Sequence, residues 1–240
     1  MKSVNSLVLE DLIFDYVSSS PPQSFILYAG AGAGKTHTLH QVLNKIKEDI
    51  LLSLGRENKK LAVITYTNAA CDEIKERVNF DNNFFVSTIH SFAWSLISPF
   101  TKEIKDIIKE NLKEIINEEE KALKKSRDLN NKTSIGRQER IRKSLKRLSS
   151  LESTRCFNYN PNYSNVEESS LEHSEVIDIF SKLLVEKKSF RKILVNKFPI
   201  LFLDEAQDTY EKVIDALVQT QIEFHSQFVI GLFGDNMQRI

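Results

Sequence analysis

Five short apolar runs, rich in β-branched and aromatic residues, recur along the chain. They are FILYA (25–29), LAVITY (61–66), FFVST (84–88), ILFLDE (200–205) and FVIGLFGD (228–235). Continuous apolar runs of this length are typical of strands buried on both faces of a parallel sheet. Helical patterns at 36–52, 68–78 and 211–222 lie between them. The alternation predicts an α/β fold with a doubly wound parallel sheet, which binds ligands at the carboxyl ends of its strands.

The interval 99–197 interrupts this alternation. It is charged and rich in helical patterns, and it contains the polar stretch CFNYNPNYSNVEESS at 156–170. Such a segment between two strands of one sheet is best explained as an insertion with an internal loop. We therefore predict an α/β domain in two parts, 1–98 and 198–240, with a helical insertion subdomain at 99–197.

The overall charge gives no sign of a nucleic-acid partner, because 33 basic residues balance 33 acidic ones. Cys71 and Cys156 lie far apart without a Cys/His pattern, which argues against a disulfide framework or a zinc site. No apolar run approaches the roughly 20 residues that span a bilayer. We therefore expect a soluble, cytoplasmic protein with no membrane partner.

Positive charge is nevertheless concentrated in one segment. Residues 121–147 contain eleven lysines and arginines and only two acidic residues. A cluster of this kind can bind nucleic-acid phosphates. The alternative interpretation is a solvated helix face.

A glycine-rich segment, AGAGAGKT at 29–36, follows the first predicted strand and leads into a helix. Glycines there allow a tight turn that aims backbone N–H groups at phosphate oxygens, beside a helix N-terminus. Lys35 is expected to neutralise the β- and γ-phosphates, and the Thr36 hydroxyl to bind Mg²⁺. The strict phosphate-loop pattern begins with glycine, where this chain has Ala29, so an ordinary βα turn is the alternative. The predicted nucleotide contacts of the loop are Ala29, Gly30, Ala31, Gly32, Ala33, Gly34, Lys35 and Thr36.

Acidic residues follow the fourth predicted strand. Asp204 is placed to hold Mg²⁺, and Glu205 to orient and deprotonate an attacking water. A solvated turn is the alternative for an isolated Asp-Glu pair. The fifth strand ends in GDNMQRI, which puts Asp235 beside the nucleotide and Gln238 near the γ-phosphate. Lys35, Glu205 and Gln238 are thus the candidate catalytic residues.

Five segments in this order resemble the UvrD/Rep-like superfamily 1 DNA helicases. AGAGAGKT, ITYTNAACDEIKERV (64–78), STIHSFAWSLI (87–97), LFLDEAQDT (201–209) and GDNMQRI (234–240) are similar to motifs I, Ia, Ib, II and III. The resemblance implies a RecA-like P-loop NTPase that hydrolyses ATP with Mg²⁺ and moves from 3′ to 5′ on single-stranded DNA. It further implies a role in repair, recombination or defence against foreign DNA. Single-stranded or partly duplex DNA is the implied partner, with a nuclease or repair protein as a further candidate.

In that family, motifs Ia and Ib contact single-stranded DNA. By position, the implied contacts here are Thr67, Asn68, Thr88, His90, Ser91 and Phe92. Hydroxyl and amide groups can bind phosphates, and an aromatic ring can stack on a base. Alternatively, Phe92 and Trp94 are core aromatics, and Thr67 or Asn68 caps the following helix.

The chain departs from the family pattern in two respects. It lacks the upstream glutamine that reads adenine, since Gln23 lies too close to the first strand. It also ends at Ile240, directly after motif III, so we expect a piece of a longer protein that lacks a second RecA-like domain and is nearly inactive alone. A non-hydrolysing, nucleotide-dependent switch that binds DNA or a partner protein is the alternative function; a small-molecule kinase has no support beyond the phosphate loop.

Overall fold

The computed structural model describes residues 9–30, 34–49, 51–126, 128–160 and 169–235, with only the backbone described at 51–53. Its sheet has five strands, all parallel. They are β1 (Phe25–Tyr28), β2 (Leu61–Thr65), β3 (Phe84–Thr88), β4 (Ile200–Leu203) and β5 (Val229–Gly234). The α/β fold with a parallel sheet is therefore confirmed, and each strand lies within the apolar run that predicted it.

Helices connect the strands. They are α1 (Leu9–Ser18), α2 (Lys35–Asp49), α3 (Leu51–Arg56), α4 (Asn68–Arg77), α5 (Ile89–Ile97), α6 (Thr101–Lys124), α7 (Lys132–Leu151), α8 (His173–Glu186), α9 (Lys188–Lys197) and α10 (Glu211–Glu223). The helix expected at 36–52 corresponds to α2 and the start of α3, which lie on either side of residue 50, a position outside the described residues. None of the helices in the described part of the chain is both long and apolar enough to cross a bilayer.

The strand order β1-β5-β4-β2-β3 determines which strand ends are neighbours. Tyr28 at the end of β1 pairs with Gly234 of β5, and Leu203 at the end of β4 pairs with Leu232 of the same strand. Neighbouring strands lie roughly 5 Å apart. The segments that follow β1, β4 and β5 are consequently brought together at one edge of the sheet.

The core beneath this edge is aromatic. The rings of Phe25, Phe202 and Phe233 pack edge-to-face, with centroids 5.5–5.7 Å apart. Each such pair contributes about 1 kcal/mol beyond its area burial. Gly231 allows this packing, since a Cβ there would lie 2.5 Å from the Phe25 ring and 2.7 Å from the Phe202 ring. Strands β1, β4 and β5 are thus held in a fixed relationship below the site.

The chain divides into two compact units, 1–93 with 180–240, and 94–179. The sheet-bearing unit includes α9, which was predicted to belong to the insertion. Phe190 of α9 packs edge-to-face on Phe180, with centroids 6.0 Å apart. Compact units need not be domains, so the boundaries predicted at 98/99 and 197/198 remain predictions.

Within unit 94–179, ion pairs hold the helices together. Arg137 and Arg140 of α7 both bind Glu119 of α6, at 3.2 and 2.7 Å. Arg147 donates two hydrogen bonds to the carboxylate of Glu175 in α8, at 2.6 and 2.9 Å. Part of the positive charge noted at 121–147 is therefore paired with acidic side chains of the same unit.

Candidate nucleotide-binding site

The glycine-rich segment joins β1 to α2, as predicted. Gly34 has φ +89°, a left-handed conformation that favours glycine. The N–H of Thr38 donates to the Gly34 carbonyl at 2.8 Å, which closes the first turn of α2. The middle of the segment (Ala31, Gly32 and Ala33) lies outside the described residues. Both ends of the loop thus have the geometry of a strand–loop–helix connection.

Lys35 lies at the centre of the site. Its side chain is 8% exposed, and its Nζ donates to the carbonyl oxygen of Ala29 at 2.8 Å. The same atom is 4.0 Å from Oδ2 of Asp235, whose side chain is 3% exposed. The ammonium group is therefore fixed between the ends of β1 and β5, where phosphates were predicted to bind. Gln238, the other candidate on this segment, lies outside the described residues.

Asp204 follows β4 directly and is buried, with 6% exposure. Its N–H donates to the Ile64 carbonyl at 2.8 Å, which continues the β2–β4 ladder by one bond. Burial, and then the charge of Glu205, raise the pKa of Asp204 to about 6, although Lys35 and the Glu205 N–H act in the opposite direction. Ionisation of this buried carboxyl group is unfavourable, and a bound cation would stabilise its charged form. Asp204 is therefore well suited to act as a ligand of a cation.

Glu205 adopts a strained backbone conformation. Its φ of 51° and ψ of 49° lie in the left-handed region, which costs a residue with a side chain roughly 1–2 kcal/mol. The turn redirects the chain from β4 into a short 3-10 helix at Ala206–Asp208. It also lets the Glu205 N–H donate to Oδ1 of Asp204 at 3.1 Å. Strain of this kind is concentrated at functional sites.

Gln207 is a residue of this site that the sequence interpretation missed. Its Nε2 donates to Oε2 of Glu205 at 2.7 Å, and its Oε1 accepts the N–H of Asp235 at 3.0 Å. The side chain thus connects the end of β4 to the end of β5. The sequence offered only a weak signal, a polar residue two positions after the acidic pair, because the contact depends on which strands are neighbours.

A cavity of about 340 Å³ lies beside these groups. That volume falls within the usual range for small-ligand sites. Thr36, Tyr66, Thr67, Glu73, Asp204 and Glu205 are among the residues that line it. The cavity brings the two predicted Mg²⁺ ligands, Thr36 and Asp204, together with the predicted base. Oxygen ligands of this kind suit Mg²⁺, which usually keeps several waters and needs only one or two protein groups.

The described residues contain no cluster of three or more His, Cys, Asp or Glu side chains that could hold a metal ion by themselves. A cation at this cavity would therefore take part of its coordination from water and from a bound phosphate. The two predicted ligands fit such a shared site, because Asp204 supplies a carboxylate and Thr36 a hydroxyl.

The segment predicted as motif Ia is exposed at the end of β2. Thr67 is the N-cap of α4, and its side chain accepts a hydrogen bond from the Ala70 N–H at 3.2 Å. Capping of the following helix, the alternative interpretation, is therefore one of its roles. Thr67 and Asn68 are both exposed. Tyr66 beside them is 60% exposed. Its position at the end of an apolar run did not predict this exposure.

Motif Ib is only partly accessible. Thr88 Oγ1 donates to the Ser91 hydroxyl at 3.1 Å, and both residues are half-buried. The half-buried His90 ring packs edge-to-face on Tyr210, with centroids 5.9 Å apart. This contact joins motif Ib to the segment that follows the acidic pair.

Phe92 does not face solvent. It is 0% exposed, and its ring packs against Phe85, Phe180 and Phe198 with centroids 5.3–6.1 Å apart. A DNA base could not reach a face of this ring to stack on it. Phe92 is therefore a core aromatic residue, as the alternative interpretation had it. The sequence could not distinguish the two roles, because an aromatic residue in an amphipathic helix is compatible with both.

Comparison with known proteins identifies the family of the chain. The chain is 27% identical, over 307 aligned positions, to Gabija protein GajB of Bacillus cereus (strain HuB5-5). That alignment covers 100% of this chain and 43% of the relative, so the chain spans less than half the length of that protein. The family described as UvrD/REP helicase N-terminal domain matches residues 15–240. The chain therefore belongs to the UvrD/REP helicase N-terminal domain family.

Proposed function

We propose that this chain is the first ATPase domain of a DNA helicase or translocase, and that it binds Mg-ATP at the edge of the sheet where β1, β4 and β5 end. The observation that carries the proposal is the convergence of Lys35, Asp204, Glu205 and Asp235 at this edge. These residues are separated by up to 200 positions in sequence. An ordinary βα turn would not require an acidic pair and a buried lysine at the same place.

Lys35 is the main phosphate ligand in this proposal. Its ammonium group already lies at the carboxyl edge of the sheet, beside the N-terminus of α2. A phosphate oxygen can take the place of the Ala29 carbonyl as its hydrogen-bond acceptor. The helix N-terminus adds backbone N–H donors and a favourable dipole for the same negative charge.

Asp204 and Thr36 would hold the Mg²⁺ that accompanies the nucleotide. When bound, Mg²⁺ neutralises charge on the β- and γ-phosphate oxygens. Asp204 also gains from the arrangement, because a cation removes the cost that burial imposes on its ionised form. A bound cation would thus compensate for the burial of this carboxylate at the end of β4.

Glu205 is the proposed general base. It orients a water molecule and accepts its proton as the water oxygen attacks the γ-phosphorus; the bond from that phosphorus to the bridging oxygen breaks, and ADP leaves with the electron pair. Asp204 is less suitable for this step, since its burial favours a metal ligand. Glu205 is half-buried and lines the cavity.

Single-stranded DNA is the proposed partner, contacted by Tyr66, Thr67, Asn68 and the accessible part of motif Ib. Tyr66 supplies an exposed ring for base stacking, and Thr67 and Asn68 supply polar groups for phosphates. Tyr66 and Thr67 also line the cavity that contains Asp204. Nucleotide bound there would contact the same strand end that contacts DNA, which provides a physical route for coupling. We place the protein in repair, recombination or defence against foreign DNA in the cytoplasm, with a nuclease or repair protein as a candidate partner.

The test measures DNA-stimulated phosphate release by the wild type, Glu205→Gln and Lys35→Ala. Each is made in a protein in which this domain is followed by a second ATPase domain. Glu205→Gln should reduce turnover by roughly 10² to 10⁴ while ATP and DNA still bind, because it preserves shape and removes the base. Lys35→Ala should instead weaken nucleotide binding, measured by titration. If DNA never stimulates the wild type, a nucleotide-dependent switch replaces the motor; if Glu205→Gln hydrolyses ATP at the wild-type rate, the base is assigned wrongly.

A further inference from the structure

The Gln207 amide connects two parts of the site that come from different strands. Its orientation follows from chemistry. The Asp235 N–H can only donate, so the amide oxygen must face it at 3.0 Å. The NH₂ group must then face the carboxylate of Glu205, which it reaches at 2.7 Å. Each partner is therefore matched to the only end of the amide that it can bind.

The Glu205 side chain depends on such an external contact for its position. Its backbone is left-handed, so the packing of a regular helix or strand does not hold the side chain in place. The bond from Gln207 engages Oε2, which leaves the other carboxylate oxygen to accept a proton from water. A base must be held within a fraction of an ångström of its productive position, since a displacement of about 1 Å can cost roughly 10²-fold in rate.

We infer that Gln207 is a positioning residue for ATP hydrolysis, which aligns the Glu205 carboxylate with the attacking water. This inference rests on the proposed function. It also has a consequence for the segment after β5: the alignment of the base depends on the backbone position of Asp235. A shift of that backbone therefore moves the base, even though Asp235 and Glu205 belong to different strands.

Gly234 gives an independent way to disturb this contact from β5. A Cβ at this position would lie 3.2 Å from Oε1 of Gln207, while its next neighbours are at 3.6 and 3.8 Å. The clash is tighter than an ordinary van der Waals contact, and Gln207 is the first group that must move. Gly234→Ala should therefore displace the amide without changing any polar group.

The experiment uses steady-state, DNA-stimulated ATP hydrolysis by the protein that includes both ATPase domains. Gln207→Glu keeps an oxygen for the Asp235 N–H but turns a charged acceptor toward Glu205; Gln207→Leu removes both hydrogen bonds. Each should lower kcat by roughly 10- to 100-fold and leave the KM for ATP within about threefold, because the change affects the base and not phosphate binding. Gly234→Ala should lower kcat by a smaller factor. Gln219→Glu, an exposed glutamine of α10, is the matched control and should behave as wild type.

A double-mutant cycle separates positioning from a structural role. In a Glu205→Gln background the base is already absent, so Gln207→Leu should reduce kcat less than twofold. Thermal unfolding of each variant shows whether a loss of rate reflects a loss of folded protein, and Gln207→Glu remains informative if Gln207→Leu is unstable.

Three results would overturn the inference while the proposed function stands: wild-type kcat in both Gln207 variants, a change confined to KM, or losses that multiply in the Glu205→Gln background. A wild type that shows no DNA-stimulated hydrolysis overturns the proposed function, and this inference with it.

Discussion

Lys35 and Asp235 form a buried contact between the start of α2 and the end of β5, with Nζ 4.0 Å from Oδ2 and side chains only 8% and 3% exposed. A charge removed from water in this way is stable only while an opposite charge or polar groups compensate it. Lys35 thus has two roles in the proposed site, as a phosphate ligand and as a partner of a buried carboxylate. The two roles are separable by mutation.

Lys35→Met should lower the free energy of unfolding by roughly 1–3 kcal/mol, because it removes a cation that compensates the buried Asp235 carboxylate. It should also abolish measurable Mg-ATP binding. Urea denaturation and titration with a fluorescent ATP analogue measure the two effects. Adding Asp235→Asn should restore stability but not nucleotide binding; a double variant that remains as unstable as Lys35→Met would show that the pair is unimportant for folding.

Asp204→Asn should stabilise the nucleotide-free protein above pH 6. Burial raises the pKa of Asp204 from 3.8 to about 6, so the folded state binds a proton more tightly than the unfolded state between these values. The wild type therefore loses stability as pH rises from about 4 to about 6, whereas the asparagine variant does not. The difference should reach roughly 2–3 kcal/mol at pH 8, since one pKa unit corresponds to about 1.4 kcal/mol. Denaturation of both proteins at pH 4 and pH 8 measures it, and equal differences at the two pH values would contradict the prediction.

His40 should make the protein sensitive to acid. Its ring nitrogens are buried and have no hydrogen-bond partner among the residues that the structure describes. Burial, followed by the positive charge of Arg77, lowers the pKa of His40 from 6.5 to about 4, and Glu73 opposes this only in part. The unfolded chain thus gains a proton first, and stability falls as pH decreases from about 6.5 to about 4.

His40→Leu should remove most of this acid sensitivity and raise the free energy of unfolding at pH 7 by about 1 kcal/mol, because an unsatisfied buried polar group is replaced by an apolar one. Stability measured across pH 4–7 tests both effects. His225→Leu, at an exposed position, is the control. If His40→Leu is less stable at pH 7, the ring nitrogens have partners after all.

Truncation of Tyr66 should lower DNA affinity but not stability, whereas truncation of Phe92 should lower stability. Tyr66→Ala removes an exposed ring, so single-stranded DNA affinity should fall roughly tenfold while stability changes by less than about 0.5 kcal/mol. Phe92→Ala removes a fully buried ring and should cost about 3–5 kcal/mol of stability. Fluorescence anisotropy with labelled oligo(dT) and urea denaturation distinguish them. Unchanged DNA affinity in Tyr66→Ala would remove this residue from the proposed interface.

The basic segment 121–147 can be tested through salt dependence. Lys132→Glu and Lys143→Glu alter exposed positions of α7. If both lysines contact phosphates of duplex DNA, the slope of log K against log salt should flatten by about 0.9 for each contact that is lost. Arg147→Ala is the contrasting variant, because its side chain is bound to Glu175 and its loss should lower stability while the slope stays unchanged. A constant slope in the lysine variants would identify the segment as a solvated face.

Much of the fold could be predicted from the sequence, because burial on both faces of a parallel strand requires continuous apolar residues. Each predicted strand agrees with an observed one, and the α4 and α10 patterns lie within a residue of the observed ends.

The candidate site was predictable to the extent that its chemistry resides in short segments. A lysine and a threonine after a glycine-rich turn, and an acidic pair after an apolar strand, are local patterns with a direct chemical meaning. Gln207 and Tyr66 were not predictable in this way. Their importance comes from what lies next to them in space, and neither residue type implies a role by itself.

The sequence by itself determined the α/β class, the strands, the glycine-rich segment after β1 and the acidic pair after β4, because each depends on residues that are adjacent along the chain. Only the tertiary structure decided that β5 lies between β1 and β4, and hence that Gln207 joins Glu205 to Asp235. It also decided that Phe92 belongs to the core while Tyr66 faces the cavity. The physical reason is that strand order and side-chain burial arise from contacts between segments far apart in sequence, whose packing energies no local pattern contains.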